Sequence, residues 1–189
     1  MSNIPLILIH SWISTKNSKK LINQLLDEIQ WEQTKLRVFG KEYLSPRLTS
    51  FLGTKGITYS YSGTKHIGKG FPDWFTPLLK DVQNYCKTEF NGCLLNLYRD
   101  GQDYMGWHAD NEYELDKSKP IASLSLGAKR DFFLKHKHSL EKHCIEIKNG
   151  DLLIMKVPCQ EEWIHSIPKR MRVNQIRINL TFRKYRFTN

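Results

Sequence analysis

Close to its C-terminal end the chain reads "RINLTFR", with Arg177, Asn179, Thr181 and Arg183 on one side and Ile178, Leu180 and Phe182 on the other. Extended backbone sends successive side chains to opposite faces, whereas a helix would scatter these residues around its circumference. The segment is therefore a β-strand with one polar and one apolar face. "CLLNLY", "IASLSLG", "DFFLKH", "CIEIKNG" and "DLLIMKV" are also short, rich in strand formers and separated by turn residues. A chain built largely of such strands hides its apolar faces by stacking or closing its sheets.

Two segments follow another period. "SKKLINQLLDEIQW" sets Leu21, Ile22, Leu25, Leu26 and Ile29 at helical spacing, with Ser18 as N-cap. "PDWFTPLLKDVQNYCKTEF" predicts a second helix with Trp74, Leu78, Val82, Tyr85 and Cys86 on one face, and Pro77 leaves its start open. Two helices followed by many short strands predict an α+β fold with a jelly-roll-like β-sandwich. The length, 189 residues, suits one domain over 1–189 with a sizeable core better than two small ones.

Composition narrows the setting. Cys86, Cys93, Cys144 and Cys159 form no C-x-x-C pair, which points to a reduced, intracellular protein. "MSNIPLILIHSW" lacks a basic leader and is too short for a signal peptide or a membrane span, so no membrane partner is expected. The net charge of +10 attracts polyanions at long range, although a merely basic soluble enzyme would carry it too.

"YMGWHADNEYE" carries the chemistry. His108 and Asp110 stand two apart, so in an extended segment both point the same way and could hold one ion. Alone, a His-x-Asp pair is a common surface feature. His165, in "EEWIHSIPKR" directly after "DLLIMKV", adds a third ligand. Two His and one carboxylate in a β-rich chain form the facial triad of non-heme Fe(II) oxygenases, which leaves positions open for a chelating cosubstrate and O₂. Zn²⁺, Mn²⁺ or Co²⁺ could occupy the same ligands, since raw affinity does not select iron. An anionic cosubstrate calls for cations, and Arg177 and Arg183 flank Asn179 on one strand face. The competing placement has both arginines facing solvent from an edge strand.

"NLYRDGQDYMGWHAD" (Asn96 to Asp110) and "RINLTFR" make the chain resemble the AlkB family of Fe(II)/2-oxoglutarate dioxygenases, from about Val38 to Tyr185. The resemblance implies a double-stranded β-helix (jelly roll) core with flanking N-terminal helices, Fe(II) as metal and 2-oxoglutarate as cosubstrate. It implies His108, Asp110 and His165 as iron ligands. Arg177 and Tyr98 would hold the distal carboxylate of 2-oxoglutarate, with Asn96, Asn179 and Arg183 near its chelating end.

The implied activity is oxidative demethylation of N-alkylated bases such as 1-methyladenine and 3-methylcytosine, releasing formaldehyde, succinate and CO₂. Such an enzyme extracts the base from its stack. Residues 36–72 would form the recognition region. Tyr61 stands where the family usually has a stacking Phe or Trp, opposite His108, and Tyr59 and Glu112 match positions at the base edge. Without the family, Tyr59 and Tyr61 would read as core aromatics. Asn111 departs from an acidic residue common in one branch.

"RVFGKEYLSPR" reads as a hairpin turning at Gly40 that exposes Phe39, and it resembles the aromatic finger of the double-stranded-DNA branch, as does Arg47. A wedge of this kind fills the gap left by a flipped base. The expected partner is therefore alkylated DNA, duplex favoured, with single strands or RNA as alternatives, and the protein acting as a monomer. A hydroxylase of a protein or small molecule is the reading outside that class. The compartment would be cytoplasmic in a bacterium and nuclear in a eukaryote. Lys135 to His143 and Pro168 to Arg172 would grip phosphates. His136, His138 and His143 read as surface residues without a carboxylate partner, and His10 and His66 carry no assigned role.

Overall fold

The computed structural model describes residues 4–38, 41–61 and 64–187, with 36–38, 41, 60–61 and 64–65 described through their backbone alone. The order is β1 (Leu6–Ile9), α1 (Thr15–Glu28), β2 (Lys35–Val38), β3 (Lys41–Leu44), β4 (Leu48–Gly53), β5 (Thr58–Tyr61) and β6 (Thr64–Ile67). A 3-10 turn (Asp73–Phe75) leads into α2 (Thr76–Cys86), followed by β7 (Gly92–Tyr98), β8 (Met105–His108), β9 (Ile121–Gly127), β10 (Arg130–His136) and β11 (Lys142–Ile147). The chain continues through β12 (Leu152–Met155), the short α3 (Cys159–Glu162), β13 (Trp163–Ile167) and β14 (Arg177–Arg183).

Two antiparallel sheets form the jelly roll. The larger runs β1-β12-β9-β14-β7-β4 and the smaller β11-β10-β13-β8. β14 is central, paired with β7 on one side and β9 on the other. Its apolar residues Ile178, Leu180 and Phe182 pack with Leu25 of α1 and with Phe75, Leu79 and Val82 around α2. The opposite face turns toward the smaller sheet, where Tyr98, Leu153 and Met155 meet Phe132, Leu134, Trp163 and Ile167. Both faces are thus buried, and the solvent-facing placement of Arg177 and Arg183 is excluded. Truncating a core side chain such as Leu180, fully buried, to Ala should cost about 2–5 kcal/mol.

Several expectations need correction. The strands do not simply follow the helices: β1 precedes α1, and β2 to β6 lie between α1 and α2. The apolar stretch at the start is an edge strand, Leu6 pairing with Met155 of β12. The N-cap of α1 is Ser14, whose hydroxyl accepts from the Asn17 amide at 3.2 Å. Ser18 lies one turn inside, buried, donating its hydroxyl to Asn149 Oδ1. The first turn of α1 is polar, so the apolar period starts too late to mark it. On α2 the buried residues are Leu79 and Val82, while Tyr85 faces outward. Pro77 sits in its first turn, where the missing N–H is not needed. Nor does His165 follow β12 directly, since α3 intervenes. The four cysteines are free, as expected. No helix among the described residues is long and apolar enough to cross a membrane.

Candidate active site

β8 and β13 are antiparallel neighbours at the edge of the smaller sheet, and their register sets His108 directly opposite His165. The two rings lie 4.2 Å apart between centroids. Asp110 stands two residues past β8, in a loop, and is buried. One ligand atom from each of His108, Asp110 and His165 falls within 4.8 Å of the others, and no other such group occurs among the described residues.

The donor set fits a divalent cation. His108 Nδ1 lies 2.9 Å from the Gly106 carbonyl, which can only accept, so Nδ1 carries the proton and Nε2 keeps its lone pair. Burial lowers the pKa of His165 to about 3, helped by His108, and lowers that of His108 as well. Burial would raise Asp110, but the charges of Arg183, His165 and His108 prevail and hold it at about 2. Neutral imidazoles beside an ionised carboxylate are the state in which these groups bind metal. Arg183 Nη2 lies 2.8 Å from Asp110 Oδ1, both side chains buried.

The polar face of β14 faces the triad. A cavity of about 50 Å³ is lined by His108, Asp110, His165, Asn96, Asn179 and Arg183, with Arg47 and Tyr98 in its wall. Arg177 does not line the cavity but is packed on residues that do: its guanidinium lies 5.1 Å from the Tyr98 ring centroid and its Nη2 donates to Asn179 Oδ1 at 2.6 Å, and to Ser125 Oγ at 2.8 Å. Its Nε and Nη1 are buried with no hydrogen-bond partner among the described residues. Burial lowers the Arg177 pKa to about 10, still a cation at neutral pH. A buried cation with N–H groups to spare is a site for an anionic oxygen.

The base-contact candidates divide. Tyr59 is wholly buried with Ile57, Leu94, Leu115 and Tyr185, so its ring is core. Burial drives its pKa well above the usual phenol value, against the pull of Arg183. Glu112 is half-buried, its Oε2 without a partner among the described residues and its pKa raised by burial, against Arg183. Tyr61 belongs to β5, but its side chain lies outside the described residues, as does Phe39 altogether. β2 and β3 form the expected hairpin on either side of Phe39. Arg47 is buried rather than displayed, donating through Nε to Asn96 Oδ1 at 2.7 Å.

The histidines of the basic turn need correction too: His143 Nε2 meets Glu141 Oε1 at 2.7 Å, and the rings of His136 and His143 pack on Trp163. Two further residues carry no mark in the sequence pattern. Gln160 of α3 accepts the Asp110 amide through Oε1 at 2.8 Å. Arg130, buried, flanks the Tyr98 ring at 5.5 Å and donates to the carbonyls of Asp103 and Pro168.

Residues 5–183 match the 2OG-Fe(II) oxygenase superfamily. The chain is 38% identical over 180 residues to the DNA oxidative demethylase ALKBH2 of Mus musculus, covering 87% of this chain and 74% of that protein. To the Arabidopsis thaliana protein of the same name it is 34% identical, covering 94% and 65%. To the human alpha-ketoglutarate-dependent dioxygenase alkB homolog 3 it is 32% identical, covering 91% and 63%. The chain thus spans roughly two thirds of these relatives. Among solved structures, OsALKBH1 superposes with a TM-score of 0.69 at 16% identity, covering 98% of this chain and 99% of that one. A Pseudomonas putida prolyl-4-hydroxylase gives 0.64 at 14% identity, covering 98% and 95%. At these identities the two structures speak for the fold alone.

Proposed function

The chain belongs to the 2OG-Fe(II) oxygenase superfamily, and we propose that within it the protein is an oxidative demethylase of N-alkylated bases in DNA. It is a dioxygenase that uses Fe(II) with 2-oxoglutarate as cosubstrate. The observation that carries the site assignment is the buried His108, Asp110 and His165 cluster on the same polar interior as Arg177, a buried cation whose Nε and Nη1 have no close hydrogen-bond partner among the described residues. The DNA substrate is supported by several relatives named DNA oxidative demethylase, up to 40% identical.

His108, Asp110 and His165 would hold the iron. Bound there, Fe(II) would supply the O₂-activating chemistry in which 2-oxoglutarate is oxidised to succinate and CO₂ with one oxygen atom of O₂ while the other becomes the hydroxyl on the N-methyl carbon. The N-hydroxymethyl product then loses formaldehyde and restores the base. Arg183 offsets the Asp110 charge, and Gln160 fixes the Asp110 backbone. Arg177 receives the far carboxylate of 2-oxoglutarate, oriented by Tyr98, Asn179 and Ser125. Asn96 reaches the cavity on its bond from Arg47. Met105, Phe132 and Ile167 keep water from its walls.

The chain acts as one domain and as a monomer inside the cell, with residues 36–72 gripping the substrate strand. Tyr61 stacks on the extracted base, Glu112 meets its edge, and Phe39 fills the vacated position in a duplex, while Tyr59, wholly buried, supports the strand from the core. 1-Methyladenine and 3-methylcytosine are the lesions.

The test is demethylation by the Fe(II) enzyme of oligonucleotides carrying either lesion, as single-stranded DNA, duplex DNA and RNA, followed by mass spectrometry. Loss of the methyl group with wild type and not with His108→Ala is the expected result. Succinate formed with every methyl group retained would overturn the base as substrate. Phe39→Ala should lose more activity on duplex than on single strands, and equal losses would remove the wedge.

A further inference from the structure

Outside the metal cavity lies a larger one, about 120 Å³, between the 111–120 loop, the turn after β12 and the end of β14. Lys117, Lys119, Lys137, Lys156 and Lys184 line it. Its acidic lining is Asp110, Asp116 and Glu161, and Asp110 is already matched by Arg183. Lys137 Nζ donates to the Gln160 carbonyl at 2.9 Å, and Lys184 reaches only the exposed Glu89 at 3.5 Å. Lys117, Lys119 and Lys156 form no ion pair among the described residues. Asp116 and Glu161 offset part of this charge, Asp116 feeling Lys119, but five ammonium groups against two carboxylates leave a positive potential, which low-dielectric walls focus.

The two cavities share a wall, since Asp110, Met155 and Arg183 line both. Resting on the dioxygenase site assigned above, we propose that the lysine-ringed cavity is a dicarboxylate capture site, a side port through which 2-oxoglutarate reaches the metal cavity and succinate leaves it. Each turnover consumes one dianion and releases another. A bound nucleic acid would bring its phosphates to the mouth where the base enters, and like charge would slow a dianion there. Lysines ringing the port offset that repulsion and draw the dianion in while the polyanion is bound. The concavity suits a small dianion better than a duplex backbone, which lies along convex or grooved surfaces.

The test is stopped-flow binding of 2-oxoglutarate to the Co(II)-loaded protein, read by the visible absorption of the metal, without nucleic acid. Replacing Lys117, Lys119 and Lys156 together by Glu should slow association roughly tenfold at low salt. The difference should shrink as salt screens the lysines. The same three positions changed to Gln should fall between, which separates charge from misfolding. An association rate equal to wild type, or an effect confined to oligonucleotide affinity, overturns the port and gives the lysines to phosphates. Failure of wild type itself to bind 2-oxoglutarate would instead sink the site assignment on which the port rests.

Discussion

Asp110 keeps its charge in a place where burial alone would neutralise it. The Arg183 guanidinium holds that charge, and the imidazoles add to it where they are protonated, while Gln160 fixes the residue's place by accepting its backbone amide. Gln160 also donates through Nε2 to Met155 Sδ at 3.2 Å, so its orientation is set at both ends. Losing an acceptor for a buried N–H costs about 1–3 kcal/mol. Outer partners of metal ligands commonly contribute about 10- to 100-fold in affinity. Gln160→Ala should therefore weaken Mn(II) binding by about that range, read by calorimetric titration, while 2-oxoglutarate still finds Arg177. Unchanged Mn(II) affinity would mean that the loop holds Asp110 without help. The ligands themselves are legible in the sequence because two of them stand two apart in an extended run. Gln160 is not, because a polar residue in "QEE" looks like any surface residue until α3 folds back on the loop.

The hairpin of β5 and β6 shows the same division among elements. Its register puts Tyr59 opposite His66, and the rings stack 5.3 Å apart at 22°. Alternation in the sequence places Tyr59 on a strand, but only the pairing shows that His66 covers it and that both pack near Phe51. The same limit explains β1 and β4, short strands whose pairing with β12 and β7 decides them rather than any local period. Strands such as β7, β9 and β14 were legible because long alternating or continuous apolar runs have few other solutions. Burial lowers the His66 pKa, against a smaller pull from Glu32. Above about pH 6.5 both the folded and unfolded forms are neutral at this position. Below it the unfolded chain takes up a proton that folded His66 refuses, so stability falls as pH drops toward the folded pKa. His66→Phe keeps a ring against Tyr59 and has no proton to bind. The metal-free variant should lose less melting temperature than wild type between about pH 7 and 5. His108 and His165 titrate alike in both and cancel in the difference. Parallel melting curves would show that His66 is protonated as readily folded as unfolded.

Over the whole molecule the +10 charge supplies long-range attraction to a polyanion, but the fold decides which cations remain available. Within Pro168 to Arg172 the shares differ. Arg170 is paired with Asp131 and lies over Phe133 at 5.7 Å. The loop is anchored at both ends of one contact, Arg170 N–H to the Gly101 carbonyl and Gly101 N–H to the Val173 carbonyl, each 2.7 Å. Gly101 has no alternative there, since a Cβ would fall 1.7 Å from the Arg170 carbonyl oxygen. This clamp, with Arg170 on Asp131 and Phe133 of β10, holds the loop in place and leaves Lys169 and Arg172 exposed. Lys169 rests over Tyr104 at 5.1 Å and forms no ion pair among the described residues. If both cations meet phosphates, each releases close to one counterion, and the slope of log affinity against log salt carries about 0.7–0.9 per contact. Lys169→Gln with Arg172→Gln should flatten that slope by about one and a half for a methylated duplex oligonucleotide, with turnover at saturating substrate unchanged. Because the anchors are Arg170 and Gly101, the double variant leaves the loop in place, so a lost slope reports lost phosphate contacts rather than a collapsed loop. A slope identical to wild type would assign the nucleic-acid grip to other cations, Lys135 to His143 first among them, and leave the clamp at Gly101 a purely structural device.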